Sequence, residues 1–206
     1  MSSLTPRSAL QNLALPGRSG THSGPPGIIL SERKGLALAT VLARKGQASA
    51  LVQRVREMYS VVLPTIPQRA ASGNVAFVWS GPDHWLAVAE AESGREFENA
   101  LRQVFSDMAS VSDQSDGRAV IRVSGARARD LLAKGIPLDL HPREFKPGSA
   151  ALTIAGHIGV QIWQLDNAPT YEIAMFRGFA ESFWRWLVDA AAEFGVSVEG
   201  PDLRGL

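Results

Sequence analysis

Residues 119–132 read AVIRVSGARARDLL, and this stretch decides the fold. Val120, Ile121 and Val123 make an apolar, β-branched run that reads as a strand. Ser124-Gly125 breaks the run, and the residues from Ala126 read as a short helix with Leu131 and Leu132 facing inward. Gly135, Pro137, His141 and Pro142 then mark an irregular connector. Residues 151–155, 158–163 and 171–176 read as strands. The aromatic-rich stretch 175–187 (MFRGFAESFWRWL) leads into a helix over 179–194, with Phe179, Phe183, Leu187, Ala190 and Phe194 on one stripe.

The same order of elements precedes it. Residues 36–43 read as a strand and 47–59 as a helix with Leu51, Val55, Met58 and Tyr59 on one side. Pro64 and Pro67 punctuate a loop. Residues 75–79 and 85–89 flank Ser80-Gly81-Pro82-Asp83-His84, a link suited to a hairpin. Ser93-Gly94-Arg95-Glu96 fits a capping box, opening a helix over Phe97, Leu101, Val104, Phe105 and Met108. Residues 111–117 (VSDQSDG) read as a polar break. A βαββα order thus occurs twice, at about 35–110 and 118–195. Either copy alone leaves one sheet face exposed, so the fold class is α+β with the two copies packed as one body over 35–198. Residues 199–206 are a short tail.

Residues 1–34 read as an extended arm, because Pro6, Pro16, Gly17, Gly20, Gly24, Pro25, Pro26 and Gly27 interrupt regular structure. Two readings stand: a tail without fixed structure, or an arm that orders on a partner through apolar islands such as Ile28, Ile29 and Leu30.

Composition narrows the function. With 21 basic and 20 acidic residues, the net charge of +1 supplies no field for nucleic-acid binding. No cysteine is present, which removes disulfides, thiolate metal sites and cysteine nucleophiles and fits a cytoplasmic location. No run reaches the ~20 apolar residues of a membrane span. Histidines 22, 84, 141 and 157 lack helical metal spacing. Asp139 and His141 form a weak candidate polar site, since an Asp-X-His pair can orient an imidazole. Asp113 and Asp116 lie in a turn without the remaining ligands of a calcium loop. Trp184 and Trp186, two apart, cannot share one helix face, so either one points off the core stripe as an interface anchor or loops cover the far side and bury both. Both are candidate anchors, and Arg177 is a candidate partner for a carboxylate of another chain or ligand, or pairs within this chain. No catalytic, cofactor-binding or metal-ligating residue is nominated.

The chain resembles the gamma subunit of bacterial heterotetrameric sarcosine oxidase over roughly residues 31–195. The resemblance rests on Leu63-Pro64, Gly81-Pro82-Asp83-His84-Trp85-Leu86, Arg122-Val123-Ser124-Gly125-Ala126, Leu138-Asp139-Leu140-His141-Pro142, and Phe176-Arg177-Gly178-Phe179-Ala180 through Trp186-Leu187. That family looks like a diverged relative of the folate-binding domain of aminomethyltransferases, which implies ferredoxin-like halves. It also implies a non-catalytic subunit, with alpha, beta and delta subunits as partners and FAD, FMN, NAD, tetrahydrofolate and zinc held on those chains. The complex would demethylate sarcosine oxidatively, yielding glycine, hydrogen peroxide and 5,10-methylenetetrahydrofolate. Two departures stand out. Where aminomethyltransferases carry a catalytic acid, this chain has Phe97 or a neighbour, and phenylalanine transfers no proton. Gly178 replaces the family's more usual serine, so its helix lacks that side-chain cap. The alternative reading is a free-standing folate-binding or one-carbon-transfer protein of the aminomethyltransferase type.

Overall fold

The computed structural model describes residues 7–21, 24–90 and 93–200. His22, the Ala91-Glu92 pair and residues 201–206 of the expected tail lie outside the described residues. In chain order the elements are β1 (Gly17–Ser19), β2 (Ile28–Glu32), β3 (Leu36–Ala43), α1 (Ala48–Tyr59), β4 (Arg69–Ser72), β5 (Val75–Gly81), β6 (His84–Glu90), α2 (Gly94–Phe105) and β7 (Ala109–Asp113). There follow β8 (Arg118–Ser124), α3 (Ala128–Ala133), β9 (Ala150–Ala155), β10 (Ile158–Asp166), β11 (Thr170–Phe176), α4 (Ala180–Ala191) and β12 (Val196–Val198). Short 3₁₀ turns flank α4 on both sides.

Local chemistry sets several of these boundaries. Ser93 Oγ accepts the Glu96 N–H at 3.4 Å and caps α2. α1 stops at Ser60, which takes a left-handed conformation and returns its N–H to the Arg56 carbonyl. Gly156 and His157 both have positive φ, which makes the tight turn between β9 and β10.

The strands form two sheets, ordered β4-β5-β6-β3-β7 and β1-β12-β2-β8-β11-β10-β9. They pack face to face with helices on their outer faces, and the period-2 alternation of each strand shows it. In β8, Ala119, Ile121 and Val123 join Leu131, Leu132, Phe183 and Leu187 in the core beneath α3 and α4. In β3, Ala37, Ala39 and Val41 join Leu51, Val55, Phe97 and Leu101 beneath α1 and α2. The opposite faces meet each other: Leu38, Ala76, Val78, Leu86 and Val88 from one sheet pack on Val120, Ala150, Trp163 and Ala174 from the other.

Three sequence expectations need correction. Each half runs βαβββαβ rather than βαββα: β4 and β7 are additions to the first, and β12 is the addition to the second, whose three strands between helices match the expected 151–155, 158–163 and 171–176. The expected polar break begins inside a strand, because β7 runs through Asp113 and pairs antiparallel with β3 from Ala39↔Asp113 to Ala43↔Ala109. Most consequentially, the expected arm over 1–34 contributes to the core. β2 runs parallel to β12 (Ile28↔Val196) and antiparallel to β8 (Leu30↔Val123), and Ile28 and Leu30 are 0% exposed. Leu10 is buried in the same cluster. The Pro/Gly-rich flanks disguised a strand that is satisfied on both edges by its own chain. Among the described residues, no helix is long and apolar enough to cross a membrane.

Candidate functional site: a buried charge cluster and a basic cleft

Between the sheets lies a cluster of charges centred on Glu172 of β11. Strand register places Arg122 opposite it on β8 and Trp163 opposite it on β10. Arg122 donates to Glu172 Oε1 from Nε at 3.2 Å and from Nη2 at 2.8 Å. Trp163 Nε1 donates to Oε2 at 2.9 Å. Arg33, from the β2–β3 connection, donates from Nε to Glu172 Oε1 at 2.8 Å and from Nη2 to Glu90 Oε1 at 2.6 Å. Glu90 ends β6, so Arg33 joins the two sheets directly. Arg69 of β4 stands close by; burial pulls its guanidinium below the usual value, and the Glu172 and Glu90 carboxylates oppose that pull. Glu172 is 4% exposed and both its oxygens accept hydrogen bonds. With both oxygens so occupied, the carboxylate ties β8, β10 and the β2–β3 connection to β11.

Beside this cluster, toward the N-terminal segment, a cleft of about 550 Å³ opens. Its wall includes Arg7, Arg33, Lys34, Arg118 and Arg177 against the acidic Glu32 and Asp116. The Glu32 carboxylate is already engaged by the Ser8 hydroxyl, by the Leu10 N–H at 3.3 Å and by Lys34 Nζ at 3.8 Å. Arg118, the first residue of β8, differs from the other cations. Its guanidinium lies over the Phe176 ring, 4.9 Å from the centroid, and its buried Nε has no hydrogen-bond partner among the described residues. Burial lowers its pKa from the ordinary value. His84, at the start of β6, is held below the usual histidine range by burial and then by the Arg118 charge.

The residues nominated from sequence are dispersed. Ile28, Leu30 and Trp184 sit in the helix-side core of the second sheet, so burial corrects their nomination as interface anchors; Ile29 is partly exposed. Trp186 is partly buried, packs on Phe183 with ring centroids 5.5 Å apart, and lies against Gly135 and Gly156. Arg177 reaches the cleft, where its guanidinium donates to the Arg7 carbonyl rather than to a carboxylate. Asp139 and His141 are exposed and cap their own turn: Asp139 Oδ1 accepts the His141 N–H at 2.9 Å, and His141 Nδ1 accepts the Arg143 N–H at 3.2 Å. Phe97 is core beneath α2, and Gly178 has open space where a side chain would stand. Missed were Glu172, Arg33, Trp163 and Arg118. A signal existed, since Glu172 and Arg122 are lone charges inside otherwise apolar strands, where a charge needs a buried partner.

Residues 44–193 match the family described as "Sarcosine oxidase, gamma subunit family". The chain is 35% identical to the sarcosine oxidase subunit gamma of an Arthrobacter species, over 60% of this chain and 60% of that one. It is 37% identical to that of Corynebacterium sp. strain P-1, over 58% of each. These alignments thus span under two thirds of the curated relatives. In structure, the chain superposes on one from heterotetrameric sarcosine oxidase of Corynebacterium sp. U-96 with a TM-score of 0.78 at 28% identity, covering 92% of this chain and 96% of that one. The aminomethyltransferase T of the glycine cleavage system from Bartonella henselae shares the fold alone, with a TM-score of 0.61 at 16% identity over 85% of this chain and 48% of that one.

Proposed function

Because the chain belongs to the sarcosine oxidase gamma subunit family, we propose that it is the non-catalytic gamma subunit of a heterotetrameric sarcosine oxidase. Its work is assembly. The two-sheet body docks on alpha, beta and delta subunits, which hold FAD, FMN, NAD, tetrahydrofolate and zinc. The assembled cytoplasmic enzyme converts sarcosine to glycine, hydrogen peroxide and 5,10-methylenetetrahydrofolate. Its two halves are ferredoxin-like units in this reading, since β5-β6-β3-β7 with α1 and α2 follows a split βαβ order.

The observation that carries the proposal is the superposition over 92% of the chain on a chain of a heterotetrameric sarcosine oxidase. The Glu172 cluster agrees with it: the charges between the sheets are spent on joining them. Co-expression of the tagged chain with its genomic neighbours tests the proposal, reading the mass and absorbance of what co-purifies. A yellow complex that forms peroxide from sarcosine is the expected result. Omitting this chain should lower the yield of complex more than the flavin content per beta subunit. A colourless species without partners would overturn the proposal, and binding of folate by that species would favour a free-standing one-carbon protein.

A further inference from the structure

The inner face of the second sheet extends beyond the part that the first sheet covers. Along β11, Tyr171, Ile173 and Met175 turn to the helices, so Phe176 falls on the inner face with Glu172 and Ala174. Along β9, Ala150 lies between the sheets, and alternation sets Leu152 and Ile154 on that same face. Phe176, Leu152 and Ile154 are 56%, 53% and 49% exposed. Gly159, paired with Ile154 on β10, has nothing within 4 Å where its side chain would stand, so a shallow trough runs between Phe176 and Ile154. Arg118 pairs with Phe176 across β8 and β11 and closes the row toward the cleft. An apolar strip therefore ends at a cation that is partly buried, stacked on an aromatic ring and, among the described residues, without a carboxylate in salt-bridge contact.

A half-buried arginine without a counter-ion is costly, because desolvation of the guanidinium is uncompensated. The other charges nearby do not compensate it: Glu32 is engaged by Ser8, Leu10 and Lys34, Glu172 by Arg33 and Arg122, and Asp116 is exposed. No salt bridge to Arg118 forms among the described residues, so its guanidinium is open to an acid brought by a partner. We propose that this strip is the seat of a partner-subunit segment in which an acidic side chain neighbours an apolar one, the carboxylate binding the Arg118 guanidinium and the apolar group lying on Phe176, Leu152 and Ile154. This assignment rests on the subunit reading above and names the surface that serves it. A carboxylate fits the guanidinium fork with two parallel hydrogen bonds, and the Phe176 ring holds the fork's plane in place.

The test uses the co-expressed complex. Arg118→Gln and Arg118→Glu should weaken retention of this chain at least tenfold, Glu more than Gln, while the thermal transition of the free chain confirms folding. Arg95→Gln, on α2, should leave retention unchanged. A photo-cross-linking phenylalanine analogue at position 176 should capture a partner peptide containing Asp or Glu, and replacing that acid by Arg should restore binding of Arg118→Glu. If the wild-type chain assembles and the Arg118 variants assemble equally well, or if position 176 captures no partner peptide, the seat is wrong and the subunit reading survives. Capture of a second copy of this chain would overturn the assignment in favour of self-association. If the wild-type chain never co-purifies, the subunit reading fails and the seat with it.

Discussion

The two halves of this chain solve the same packing problem differently. In the first, the strand after the second helix, β7, returns to pair with β3, and the sheet is completed by its own residues. In the second, the corresponding edge of β8 is taken by β2 from the N-terminal segment, and the strand after α4, β12, is displaced outward to pair parallel with β2. The first half is thus locally closed, whereas the second depends on a segment some ninety residues upstream (Ile29 opposite Ser124). The difference teaches that the N-terminal segment is a structural part of the second half, and that the chain cannot be divided at residue 35.

Removing residues 1–32 breaks the comparison most severely. It strips Leu10, Ile28 and Leu30 from the second core and exposes an edge of β8. The expected result is loss of the cooperative fold of the second half. Emission from Trp163, Trp184 and Trp186 should shift to the red, and hydrogen exchange in β8 to β11 should lose protection while β3 and β6 keep theirs. Equal protection in both halves would show that β2 is dispensable.

Next in size is Glu172→Gln. It leaves Arg33 and Arg122 facing a neutral amide in a buried site, and removing one partner of such a cluster costs about 3 kcal/mol. Urea denaturation should show a lower midpoint. Because Arg33 also binds Glu90, the loss should reach the first half and lower the midpoint seen from both sheets together. A drop confined to the second half would mean that the cluster does not couple them.

Much of this was legible in the sequence. Strands and helices with clear period, such as β3, β8, β11 and α4, follow from alternation or from the 3.6-residue stripe, because each has one face on a core. What was not legible depended on distant residues. Ile28-Ile29-Leu30 is too short, and too closely hemmed by Pro25, Pro26 and Gly27, to be told from an apolar island; only β8 and β12 make it a strand. Trp184 is buried in the second core and Trp186 is packed against it, so neither is a free anchor. The far side of α4 is covered by the turns around Gly135 and Gly156, which local periodicity does not reveal. The Glu172 cluster brings together residues up to 139 positions apart, so sequence shows the lone charges without their partners.

Gly135→Ala sharpens the contrast between the helices. α2 packs through Phe97, Leu101 and Phe105, whereas the Trp186 indole of α4 fills the space that a Gly135 side chain would need. A rigid ring cannot yield as a flexible chain end would, so the expected cost is about 1–3 kcal/mol. Gly159→Ala, with open space around it, should stay within about 0.5 kcal/mol. Combining Gly135→Ala with Trp186→Leu should recover part of the loss; strict additivity would place the collision elsewhere.

The smallest effect concerns His84, where the first sheet meets the charge of the second. Its pKa in the folded chain is lowered, mainly by burial and then by Arg118. The unfolded chain titrates near pH 6.5, so as pH falls through that value the unfolded state takes up the proton first. Acidification therefore favours unfolding, and this contribution to stability, complete above the unfolded pKa, is lost as pH falls through the folded one. His84→Gln should flatten this part of the acid limb in a series of urea melts. Arg118→Gln should raise the His84 pKa, read from its imidazole proton shifts, without returning it fully to 6.5, because burial remains. A carboxylate seated on Arg118 would shift the same resonance upward in the assembled complex, since it cancels the charge that disfavours the imidazolium. An unmoved His84 in both cases would mean that Arg118 and His84 do not sense each other across the opening between the sheets.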